Sequence, residues 1–136
     1  MAVIDFLIYF LTYWFDENRQ LLTWSTPLKR ASYAIGLATM CFFYSIGELV
    51  EFTVYKTTDF QFSKIFFVLL GIGSMQLYEY IYITRNRYEK IISSNKFSKI
   101  SKKKGVGISM AILFTCVMMT FFMFMIFVPF GSDKLK

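Results

Sequence analysis

Three stretches of this chain, at about residues 31–55, 65–84 and 106–130, are apolar over a length that can cross a bilayer, which takes about 20 residues. That feature narrows the fold more than any other. In hydrocarbon the backbone must satisfy its own hydrogen bonds, so a spanning segment is a helix or a strand of a closed barrel. A barrel would show short segments of alternating polarity, and none is visible here. The expected fold is therefore an all-α integral membrane protein, one polytopic domain over residues 1–136 with three transmembrane helices. The composition agrees, being 56% hydrophobic and 21% aromatic, with 17 Phe, 9 Tyr and 8 Met, richer than a soluble domain of this length carries.

The composition also excludes. There is no histidine, so the commonest general base, proton shuttle and metal ligand are missing. Cys41 and Cys116 fall in apolar runs, where a thiol is ordinarily inert packing. No nucleophile motif is present, so no catalytic residue, no cofactor and no enzymatic activity are expected. Carboxylates without histidine would suit only a hard cation, and nothing else supplies ligands, so no metal site is expected either.

The net charge of +6 is concentrated. Arg85, Arg87, Lys90, Lys96, Lys99, Lys102, Lys103 and Lys104 are opposed only by Glu89. Lying between two apolar spans, this run sets topology rather than binding nucleic acid. The loop 85–105 is expected on the cytoplasmic side, and Lys29 and Arg30 before the first span agree. The link "KTTDFQFSK" and the tail "GSDKLK" then face outward. "KFSKISKKK" would also attract anionic headgroups, as any basic juxtamembrane segment does.

Residues 2–15 are apolar but short, interrupted by Asp5 and followed by "DENRQ". At about 1.5 Å per residue they fall short of a full crossing. They read either as a helix lying in the interface or as a short fourth membrane helix. No basic n-region precedes them, so no removable signal peptide is expected. Pro27 should break any continuous helix before the first span.

Ionisable groups within a span are costly and point to function. "SIGELVEF" carries Glu48 and Glu51 toward the outer end of the first span, on one face with Cys41, Tyr44 and Ser45. Glu79 lies about 9 Å inside the cytoplasmic boundary of the second span, with Gln76 one turn deeper on nearly the same face. The plain alternative is that all three glutamates sit near headgroups and are solvated. Ser32, Ala34, Gly36 and Ala38 in the first span, and Gly71 and Gly73 in the second, are small enough to let helices approach closely. Their partner is either this chain's own bundle or another protein. Met118, Met119, Met123 and Met125 read as filler or as a lipid-facing surface.

"YAIGLATMCFFYSIGELVEF" followed by "TTDFQF" resembles the central span of the small inner-membrane immunity proteins against pore-forming colicins. "FLIYFLTYWFDENRQ" and the terminal "VPFG" are similar to that family's first span and tail. The resemblance implies a multi-pass protein of the bacterial inner membrane with a periplasmic C-terminus. It also implies a partner, the helical domain of a bacteriocin, whose channel opening is blocked by helix–helix recognition. Tyr44, Ser45, Glu51, Asp59 and Phe60 match the family pattern; Glu48 has no counterpart in it and joins the partner-binding set by position alone. The alternative is a small channel or transporter subunit in which Glu48, Glu51 or Glu79 line an ion path, which with three helices requires a homo-oligomer.

Overall fold

The computed structural model describes residues 2–18, 25–50, 53 and 64–130; Glu51, Asp59 and Phe60 lie outside this set. The described elements are five α-helices: α1 (Ala2–Glu17), α2 (Pro27–Val50), α3 (Lys64–Glu79), α4 (Arg87–Ser93) and α5 (Lys102–Phe130), with a π-helical turn, Tyr80–Thr84, extending α3. Three helical segments, Pro27–Val50, Ile65–Thr84 and Lys102–Met123, are long and apolar enough to cross a membrane. Their surfaces agree with that use. Ile65 and Leu69 on α3, and Phe114 and Phe122 on α5, are each more than 60% exposed, an apolar exterior that water would not tolerate over such an area.

Two boundaries differ from expectation. Pro27 does not merely end what precedes it; it is the first residue of α2, where a missing N–H costs nothing and the fixed φ favours the helix. Thr26 caps that end, its Oγ1 accepting from the Lys29 N–H at 3.4 Å and its carbonyl from the Arg30 N–H at 3.1 Å. Residues 85–105 are not a simple loop. They hold α4, a run of turns over residues 94–100, and the first turn of α5, which begins at Lys102. Asn86 and Asn95 take the left-handed conformations that these reversals need, at φ 50° and 49°.

The N-terminal helix belongs to the bundle. α1 packs on α2, α5 and α4, and Ile8, Phe10 and Leu11 are fully buried. At 16 residues it is about 24 Å long, too short to cross the hydrocarbon core. Leu7, Ile8, Leu11, Ala31, Ile35, Tyr82 and Ile91 form the main core, which therefore sits at the end of the bundle that carries the basic residues. Asn18 closes α1, its Nδ2 and backbone N–H both donating to the Trp14 carbonyl at 2.9 and 3.0 Å.

α2 is the central helix, with α3 antiparallel on one side and α5 on the other. Two reciprocal contacts set the α2–α3 register. A Cβ on Gly36 would stand 2.9 Å from the backbone Cα and N of Met75, and one on Gly71 would stand 2.8 Å from the Met40 sulfur. Ser74 bridges the pair, donating to the carbonyls of Gly71 at 2.9 Å and Gly36 at 3.3 Å. Among the described residues α3 and α5 make no extensive contact with each other, and a cleft opens between them over α2.

Candidate functional site

The cleft lies toward the far end of the bundle from the lysines. Met40, Cys41 and Tyr44 of α2 form its floor, Phe67 and Val68 of α3 one wall, and Val117, Thr120 and Phe121 of α5 the other. It encloses about 460 Å³ and opens sideways, toward where lipid would lie. The lining is almost wholly apolar side chain, the surface on which one helix packs against another in lipid.

Tyr44 anchors the floor. Its ring meets Phe67 edge-on at a centroid separation of 5.3 Å, and Glu48 follows one helical turn on along the same face. Glu48 Oε2 is buried with no hydrogen-bond partner among the described residues. A buried carboxylate oxygen left without a donor is costly, and a donor supplied from outside would relieve that cost. Glu48 stands about 32 Å along α2 from Pro27, at the far boundary of a crossing helix.

Ser45 is placed differently from Tyr44. It is fully buried and turned toward α5, its Oγ 3.0 Å from the Thr120 Oγ1 and 2.9 Å from the Cys41 carbonyl, to which it donates. Thr120 also reaches the Cys41 carbonyl at 3.0 Å. Three polar atoms thus satisfy one another across α2 and α5, and Ser45 presents no surface to a partner.

Glu79 and Gln76 separate as well. Lys29 Nζ lies 3.0 Å from Glu79, and the Tyr33 hydroxyl donates to it at 3.2 Å, so the carboxylate is neutralised inside the chain. Gln76 is exposed on the outer surface of α3. Among the small residues, Ser32 is fully buried, Ala38 nearly so and Ala34 half-buried, while Gly36 and Gly71 carry the close approach. A Cβ at Gly73 would meet open space, so that glycine takes no part in the packing.

The best-built polar cluster is one that sequence reasoning treated only as an interruption. Asp5 is 3% exposed and accepts from Arg87 through two parallel bonds, Nε and Nη2, each 2.9 Å. The Tyr82 hydroxyl donates to the same carboxylate at 2.6 Å, and Lys96 Nζ stands 3.8 Å away. The Arg87 guanidinium holds the Asp5 carboxyl below its ordinary range, outweighing the opposite effect of burial. The π turn makes this geometry available: the Arg85 N–H reaches back five residues to the Tyr80 carbonyl at 3.1 Å, and Tyr82 within the turn faces α1 while Tyr80 and Ile83 stay outside. The cluster ties α1 to the end of α3 and the start of α4. An acidic residue on an otherwise apolar helical face, with a basic segment available elsewhere, was the signal that could have found it.

No known family matches this chain, and no curated protein or solved structure matches it.

Proposed function

We propose that this chain is a bacterial inner-membrane immunity protein, which takes a helix of a pore-forming bacteriocin into the cleft between α3 and α5 and so keeps the channel from opening. The observation that carries the reading is the cleft itself: a sideways-open, apolar recess of about 460 Å³, with the buried Glu48 Oε2, which has no donor among the described residues, one helical turn beyond Tyr44 of its floor. With the lysine-rich end in the cytoplasm, as the distribution of Lys and Arg favours, the cleft lies in the outer half of the bilayer. A toxin helix inserting from the periplasm arrives there first. Apolar walls supply packing without selectivity. Glu48 supplies the selectivity, accepting from a Lys, Ser or Thr at one depth of the incoming helix and penalising a helix that brings none. Tyr44 and Glu48 are the recognition residues in this account; Glu51, Asp59 and Phe60 enter it through the family resemblance.

The test is survival of a sensitive bacterium that expresses the chain and is challenged with a panel of pore-forming toxins. Protection against one toxin, lost when Val68→Trp or Val117→Trp fills the cleft at unchanged membrane level, supports the reading. Absence of protection across the panel removes it. Cation flux through the reconstituted protein, abolished by Glu48→Gln, would replace it with a channel. Glu79 is poorly suited to line an ion path, being neutralised by Lys29.

A further inference from the structure

At the opposite end of the molecule a recess lies between the last turns of α1 and the first turn of α5. Tyr13, Trp14 and Glu17 form one wall and Lys102, Lys103, Val106 and Gly107 the other, around about 360 Å³. The lysines here are not on a loose tail. Phe97, between α4 and α5, packs on Phe6, Tyr9 and Phe10 of α1 at centroid separations of 5.6, 5.6 and 6.2 Å, which pins residues 94–101 to the bundle. Gly105 completes the junction, since the Phe10 ring occupies the place where its side chain would be. Lys102 is held over the Tyr13 ring, its Nζ 4.2 Å from the centroid. Lys99, Lys103 and Lys104 are exposed beside it.

Among the described residues at this end, Lys and Arg outnumber Asp and Glu. Asp5 is engaged by Arg87 and Glu79 by Lys29. Glu17 borders the recess and accepts a hydrogen bond from Tyr13, so against Lys102 and Lys103 it leaves one net positive charge, with Lys99 and Lys104 adding to it. Going from Lys102 toward Val106 and Gly107 the wall changes from cationic to apolar within one helical turn. An indole and a phenol, the side chains that favour a membrane–water boundary, stand opposite.

We infer that this recess binds a single anionic phospholipid, with the headgroup phosphate between Lys102 and Lys103 and the start of an acyl chain along Val106 and Gly107. The inference is independent of the cleft and of any toxin. Two chemical features are required of the ligand together, a phosphate and an attached chain, and a bilayer lipid has both. Basic recesses beside membrane helices hold acidic lipids on this principle.

The experiment uses the full chain with Trp24→Phe, so that Trp14 is the remaining indole, reconstituted in phosphatidylcholine vesicles containing either phosphatidylglycerol or phosphatidylcholine brominated on the acyl chain. Bromine quenches Trp14 on contact. The expected result is a preference for phosphatidylglycerol of roughly tenfold or more, taking the contribution of a lysine near an anionic surface as about fivefold each. Lys102→Gln with Lys103→Gln should abolish the preference, and Glu17→Gln should widen it. Equal quenching by the two lipids, or a preference that survives the double lysine change, overturns the inference. Displacement of the brominated lipid by soluble glycerol phosphate at the same concentration also overturns it, because the recess would then recognise the phosphate alone.

Discussion

Asp5 and Arg87 lie 82 positions apart, yet they meet through two parallel hydrogen bonds of 2.9 Å each, with the carboxylate almost wholly inside the protein. A short N-terminal helix that cannot cross a bilayer by itself is thereby fixed to the bundle at Asp5, the acidic residue of its first turn. The apolar contacts of Ile8, Phe10 and Leu11 supply attraction, each worth about 1.5–3 kcal/mol against water and less against lipid. They do not by themselves set rotation or depth. The bidentate pair does, because a guanidinium and a carboxylate match in only a narrow range of orientations.

Asp5→Asn should therefore destabilise the chain strongly. Breaking a buried pair by removing one partner costs about 3–5 kcal/mol; Arg87 is about one-third exposed and can recover some hydration, so about 2–3 kcal/mol is expected. Asp5→Leu together with Arg87→Met removes both partners and should cost less than Asp5→Asn alone. Equilibrium unfolding in mixed micelles measures both variants. A larger loss in the double variant would mean that the pair holds α1 for net stability and not only for orientation.

The same pair predicts a pH dependence of definite sign. Arg87 lowers the Asp5 pKa in the folded state below its unfolded value of about 4. The stability this contributes is complete above the unfolded value and disappears as pH falls through the lowered folded one. Melting temperature in detergent, followed from pH 7 to pH 2.5, should drop more steeply for the native chain than for Asp5→Asn. Parallel curves would show that Asp5 is not ionised in the native bundle.

The α2–α3 register allows a comparison within one motif. Gly36→Leu must push α3 away from α2, since the obstacle is Met75 backbone and not a side-chain tip that can swing aside. Gly73→Leu meets open space and should change stability by less than about 0.5 kcal/mol, as an outward-facing substitution does. Proteolysis of the reconstituted variants distinguishes a splayed α2–α3 pair from an intact one. Equal behaviour of the two glycine variants would mean that the helices are not in this register.

Much of the architecture was legible in the residues. Length and polarity alone give three candidate spans, because hydrocarbon accepts little else. What was not legible depended on partners distant in sequence. Asp5 looks like a flaw in an apolar run until Arg87 and Tyr82 are brought to it, and Glu79 looks like an intramembrane charge until Lys29 reaches it from the start of α2. Gly71 and Gly73 are equivalent on paper, two residues apart, but face opposite ways on a helix that packs on one side only. The N-terminus of α2 is a different case: Thr26 before Pro27 is a local capping signal, and its absence from the expected boundary is an error of reading, not of information.

Ser45 and Tyr44 are neighbours in sequence but look into different surroundings, and this separates fold from recognition. Ser45 and Thr120 satisfy each other between α2 and α5, while Tyr44 faces the open cleft. Hydroxyl pairs within membrane bundles contribute about 0.6 kcal/mol on average, so Ser45→Ala, Thr120→Ala and the double variant should give a coupling of that order in an unfolding cycle. None of the three should alter specificity for a partner, although each lowers stability a little. Tyr44→Phe should do the reverse. It keeps the ring against Phe67 but removes the one hydroxyl of the cleft floor that stands a helical turn from Glu48, so the carboxylate depends more on a donor from outside. Partner binding should then shift toward helices that bring a lysine to that depth, read as a changed ranking across a panel of single-lysine transmembrane peptides in a cross-linking assay. An unchanged ranking would show that Glu48 is satisfied from within the chain and does not select what enters the cleft.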